Sequence, residues 1–114
     1  MKSKIIALAA LLTLATNALG HSKATQTTPD NNAMVQAIDI IEMQFDDPMR
    51  VTAISLTGPS GNVEIIRETG LEPVSEFRAR PNETLGAGVY HVDWRGLASD
   101  GHPMQGTFSF TIAE

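Results

Sequence analysis

Tyr90-His91-Val92-Asp93-Trp94-Arg95-Gly96-Leu97-Ala98-Ser99-Asp100-Gly101-His102-Pro103 is the stretch that decides the fold. Tyr90, Val92 and Trp94 fall on one side of an extended chain, and His91, Asp93 and Arg95 on the other. A period of two marks a strand with one buried face. Ser99-Asp100-Gly101 is turn chemistry, because glycine takes backbone conformations that other residues resist. Beyond the turn, Phe108, Phe110 and Ile112 alternate with Thr107, Ser109 and Thr111, so the whole predicts a hairpin. The aromatic side belongs in the core, since Trp and Tyr carry large apolar area that needs cover. His91 reads as a solvent-facing strand residue. Asp93 and Arg95 are spaced to pair on the outer face, a minor contribution for an exposed pair.

Working outward, Ile41, Met43 and Phe45 alternate with Glu42 and Gln44, predicting a strand over 38–45 that Asp46-Asp47-Pro48 ends. Val51 to Thr57 is β-branched and alternating. Gly58-Pro59-Ser60-Gly61-Asn62 then turns the chain, and Val63 to Arg67 returns as a hairpin partner. Glu68 to Pro73 is a loop. Between Val74 and Arg80 the pattern is diluted by Glu76, Arg78 and Arg80, and Pro81 to Gly88 reads as a surface connection. Near the start, Pro29-Asp30-Asn31-Asn32 predicts a bend with a short edge strand before it. Past residue 20 no segment has a helical period. Short strands at regular spacing predict an all-β fold, an antiparallel Greek-key β-sandwich or barrel of immunoglobulin-like type.

At 114 residues the chain supports one domain. Residues 1–20 are excluded from it. Lys2 and Lys4 precede an apolar run from Ile5 to Ala15, and Ala18 and Gly20 are the small residues a signal peptidase reads. The run is too short for a permanent span, and none follows it. A cleaved signal peptide over 1–20 and a mature domain over 21–114 are therefore expected; a cut after Ala18 is the alternative. With no Cys in the chain, a lipoprotein anchor, disulfides and thiolate ligands are all excluded. Without Lys2 and Lys4, six basic side chains face thirteen acidic ones, a formal charge of −7. Such a surface is a poor partner for nucleic acid or anionic lipid, and it suits a cation.

Cleavage after Gly20 makes His21 the first residue, so that its α-amine and ring nitrogen can chelate one metal. An α-amine has a pKa of about 8, and a metal can displace its proton at neutral pH. Asp100 and His102 add a carboxylate and a second imidazole two residues apart. Three nitrogens and one oxygen suit Cu(II), which favours tetragonal N and O ligation; Zn(II) can use the same donors as a tetrahedron. Whether His21 meets His102 in space is left open by the sequence. Met34, Met43, Met49 and Met104 form no Met-rich run, and Met43 fits the core, so a Cu(I) site is not expected. No phosphate loop, nucleophile elbow or zincin motif occurs.

Gly88-Val89-Tyr90, Val92-Asp93-Trp94-Arg95, Ser99-Asp100-Gly101-His102-Pro103 and Gly106-Thr107-Phe108-Ser109-Phe110 together resemble the closing third of the CopC copper-resistance family. His21 followed eight residues later by Pro29 is similar to that family's mature start, and Ile41-Glu42-Met43-Gln44-Phe45 to its second strand. The likeness is loose between Gly58 and Pro81, and Ser22-Lys23-Ala24 replaces a more apolar opening. What the resemblance implies is a small periplasmic sandwich binding Cu(II) through His21, Asp100 and His102. It also implies a copper carrier or buffer rather than an enzyme, monomeric, working beside a multi-span inner-membrane copper permease. Two other classes are weighed against it. One is a copper-dependent oxidative enzyme built on an N-terminal histidine brace, for which the chain lacks long loops and an aromatic platform. The other is a metal-free exported interaction module.

Overall fold

The structure, a computed structural model, describes residues 24–114. The expected signal segment and His21 lie outside the described residues. Eight strands follow in order: β1 (Ala24–Thr28), β2 (Ala33–Val35), β3 (Ile41–Gly58), β4 (Gly61–Val63), β5 (Ile65–Arg67), β6 (Val74–Pro81), β7 (Gly88–Ala98) and β8 (Pro103–Ile112). Among the described residues there is no helix, and the all-β expectation holds.

β3 is the strand from which the rest is hung. Its first part pairs with β1 on one edge and β6 on the other, through Thr28↔Glu42 and Ile41↔Ala79. Its second part pairs with β7 and β4, through Leu56↔Val92 and Leu56↔Val63. Asp46-Asp47-Pro48, expected to end a strand, instead lies within it. The register with β6 slips between Gln44 and Met49, so the acidic pair and the proline take up a bend while the chain stays extended. One strand thus serves two curled layers, which the sequence had suggested as two strands.

The returning arm after Gly61 is likewise divided. β4 pairs with β3, and β5 turns to the other layer to pair with β6 through Ile66↔Arg80. The diluted stretch over 74–80 is a full strand whose Phe77 and Ala79 are completely buried. Its charges sit outside, where Arg78 pairs with Glu42, and Arg80 with Glu68 at 3.2 Å. β2 runs parallel to β8 (Met34↔Thr111), the one departure from antiparallel pairing among the described strands. The turn at Asn31 and Asn32 makes this possible. Asn32 takes a positive φ, and its N–H donates to the Ser109 carbonyl at 2.6 Å.

The core follows the alternation. Ile41, Met43, Phe45, Met49, Val51, Leu56, Phe77, Tyr90, Val92, Trp94, Phe108, Phe110 and Ile112 form one buried cluster. Burial of side chains this size is worth roughly 1.5–3 kcal/mol each before entropy is set against it. Tyr90 stacks on Phe110 at 5.5 Å and sends its hydroxyl to the Gly86 carbonyl at 2.8 Å. Arg67 lies with its guanidinium 5.0 Å from the Phe77 ring centre and donates to the carbonyls of Val51, Thr69 and Gly70. It thereby ties the 68–73 loop to β3.

Candidate metal centre

The hairpin β7–β8 is in continuous register from Gly88↔Ile112 to Leu97↔Pro103. Its tip is closed by the Gly101 N–H donating to the Ala98 carbonyl at 2.8 Å and the Ala98 N–H donating to the His102 carbonyl at 2.9 Å. Gly101 sits at φ 92°, a conformation that L side chains rarely adopt. Asp100 then folds over the turn. Its Oδ1 accepts from the His102 backbone N–H at 3.1 Å, and its Oδ2 lies 2.8 Å from His102 Nδ1.

This pair is held by local bonds yet open to solvent, the two side chains being 75% and 65% exposed. The His102 backbone N–H, then its ring, hold the Asp100 carboxyl below its ordinary range. Asp100 is therefore an anion across the neutral range. With Nδ1 turned to the carboxylate, the His102 Nε2 faces away from it. An imidazole nitrogen and an ionised oxygen on one rigid turn are fitting donors for a divalent transition ion. Two donors alone make a weak site. Among the described residues no third His, Asp or Glu joins them.

His91 does not. It is exposed in mid-strand opposite Thr57 and Ser109, roughly 23 Å from the hairpin tip at about 3.3 Å per strand residue. Asp93 and Arg95 form no ion pair among the described residues. Met43 and Met49 are fully buried core residues, while Met34 is exposed on β2.

The sequence did not disclose an open cleft of about 570 Å³ beside the hairpin. One wall is β1 with Asp30 and Asn31, and the other is Gln105 to Phe108 of β8, with Trp94 between them. Its ends are identifiable. At one, the Asn31 side chain accepts from the Ser109 N–H at 3.0 Å. At the other, Ala24 pairs with Phe45 in β3, and Phe45 meets Trp94 edge-on at 5.4 Å. Trp94 is in register with Gly106, three residues from Pro103. The described chain therefore begins at the same end of the fold as the Asp100–His102 turn. A glycine opposite a tryptophan in an otherwise alternating strand was the legible sign of a close approach here.

A family model described as the CopC domain matches residues 24–113. Copper resistance protein C of Escherichia coli is 30% identical over 110 residues, covering 87% of this chain and 86% of that protein. Copper resistance protein C of Xanthomonas campestris pv. juglandis is 27% identical, covering 84% and 83%. Among solved structures, PcoC, a methionine-rich copper resistance protein from Escherichia coli, matches with a TM-score of 0.67 at 29% identity, covering 82% of this chain and 99% of that one. CopC from Methylosinus trichosporium OB3b matches with a TM-score of 0.69 at 23% identity over 82% and 94%, a likeness of fold.

Proposed function

The chain belongs to the CopC domain family, and from that premise we propose that it is a periplasmic copper-binding protein. In this reading the signal over 1–20 is removed and residues 21–114 are the mature domain. One Cu(II) ion is then held by the His21 amine and ring, Asp100 and His102. Copper is cargo here. Four protein donors leave no open equatorial position for a substrate, which favours a carrier or buffer in copper resistance over an oxidative enzyme. Among the described residues no helix is long and apolar enough to cross a membrane. Movement of copper between compartments then falls to a separate multi-span permease, with this protein acting as a monomer.

The observation that supports this reading is the shared end of β1 and the hairpin. Ala24 and Gln105 border the same cleft. His21 precedes Ala24 by three residues, and His102 precedes Gln105 by three. Three extended residues reach about 10 Å, so an amine at residue 21 is within range of the turn if the chain runs on beside β8.

The test is an electron paramagnetic resonance spectrum of Cu(II) on the processed protein, with its N-terminal residue sequenced. A tetragonal spectrum with three nitrogen donors is expected. Placing one extra residue before His21 should move the amine and cut affinity by orders of magnitude. If the extended protein binds equally well, the amine is not a ligand.

A further inference from the structure

We propose that Gly106 and Trp94 are positioning residues for the copper site; the inference rests on the ligand set proposed above. A methyl group at Gly106 would stand 2.7 Å from Trp94 Nε1, 2.8 Å from Cε2 and 2.9 Å from Cζ2. The indole thus lies flat against bare backbone, and the absent side chain is what sets its depth. From there the contacts run to the start of the chain. Trp94 meets Phe45 edge-on, and Phe45 is the register partner of Ala24. The β1 ladder slips between Ala24 and Gln26; there the Thr25 hydroxyl donates to the Gln44 carbonyl at 3.2 Å, and Ala24 packs against the core that holds Phe45 and Trp94. Trp94, Ala24 and Gly106 all border the same cleft.

Donor positions matter here at the scale of tenths of an ångström, since metal–ligand distances tolerate about 0.2 Å. A Cβ at residue 106 forces a rigid ring to shift by more than that. The shift passes through Phe45 to Ala24, three residues from the proposed ligand His21. Asp100 and His102 are held by their own turn and stay in place. The two halves of the site are thereby moved apart without the loss of a donor.

The experiment is a double-substitution cycle in the processed protein, using Gly106→Ala, Trp94→Leu and both together. Cu(II) affinity and the paramagnetic spectrum are measured, together with amide resonances of the metal-free protein. Gly106→Ala should weaken Cu(II) by roughly ten- to hundredfold, as loss of a ligand's supporting partner does. It should also alter the copper hyperfine splitting and shift the Ala24 to Gln26 amide resonances before any metal is added. In the Trp94→Leu background, which has no atoms where the indole Nε1, Cε2 and Cζ2 stood, Gly106→Ala should cost no further affinity. Full affinity in Gly106→Ala, or losses that simply add in the double variant, would overturn the positioning role. His102→Ala in the same series keeps the two ideas apart. If it binds as tightly as the parent, the ligand set falls and the positioning role with it. If it loses copper while Gly106→Ala does not, only the positioning role falls.

Discussion

Replacing Arg67 by Ala should destabilise the metal-free domain by about 2–4 kcal/mol. Its Nη2 donates to the Val51 carbonyl at 2.6 Å and to the Gly70 carbonyl at 2.8 Å, and its Nε to the Thr69 carbonyl at 3.2 Å. Hydrogen bonds to a charged group contribute roughly 1.5–3 kcal/mol where they are sheltered. Of the three, the bond to Val51 counts most, because Val51 is fully buried at a register slip between β3 and β7. The stacking on Phe77 adds about 0.5–1 kcal/mol at a part-exposed site. The Gly70 carbonyl is exposed and the Thr69 carbonyl half-buried, and both recover water when the arginine goes, so their share is discounted. Arg67→Lys should recover less than half of the loss, because an ammonium cannot present the guanidinium's fork to several carbonyls at once. Urea unfolding of both variants measures the difference, with hydrogen exchange in 68–73 as the local readout. A change below about 0.5 kcal/mol in Arg67→Ala would refute the view that this side chain anchors the loop.

Trp94→Ala should cost about 3–5 kcal/mol in the same assay, as truncation of a buried Trp does, lowering Tm by about 4–8 °C for each kcal/mol in a domain of this size. Asp100→Asn removes the anion but leaves an oxygen to accept from the His102 N–H. Thermal melting of the metal-free protein should therefore barely change while Cu(II) affinity, read by competition with a chelator, drops at least tenfold. Acidification should release copper by protonating imidazole and amine donors while Asp100 is still ionised, since its carboxyl is held low; a pH titration of bound Cu(II) should thus show loss above the carboxylate range. The sign for stability is the usual one for a depressed carboxyl. Whatever Asp100 contributes is present above its unfolded pKa and disappears as pH falls through its folded value.

The strands that bury one face and wet the other were legible. Tyr90, Val92 and Trp94 faced in as their alternation required, and so did Phe108, Phe110 and Ile112. The stretch over 74–80 was obscured because its outward residues are charged and its inward ones include Ala79 and Pro81, small contributors to any apolar pattern. Asp46-Asp47-Pro48 misled for a different reason. Turn residues also suit a bend within a strand, and only tertiary pairing on both sides of them tells the two apart. At the site, Asp100 and His102 were readable from a turn motif, since their contacts are within three residues of sequence. The cleft was not, because its walls come from 24–31 and 94–108, segments far apart in sequence that only tertiary pairing brings together.

Consider when β3 can find its neighbours as the polypeptide leaves the ribosome. Its lower part waits for residues 76–79, and its upper part for residues 91–98, nearly the whole remaining length. Each of these closures joins segments far apart in sequence, which makes for slow assembly. The layer that β3 forms with β7 and β8 cannot be completed while the last quarter of the chain is unmade, so that half of the polypeptide stays open until synthesis is almost finished. For the exported protein proposed above, which would be threaded through a translocase before it takes shape, that one shared strand is a built-in delay.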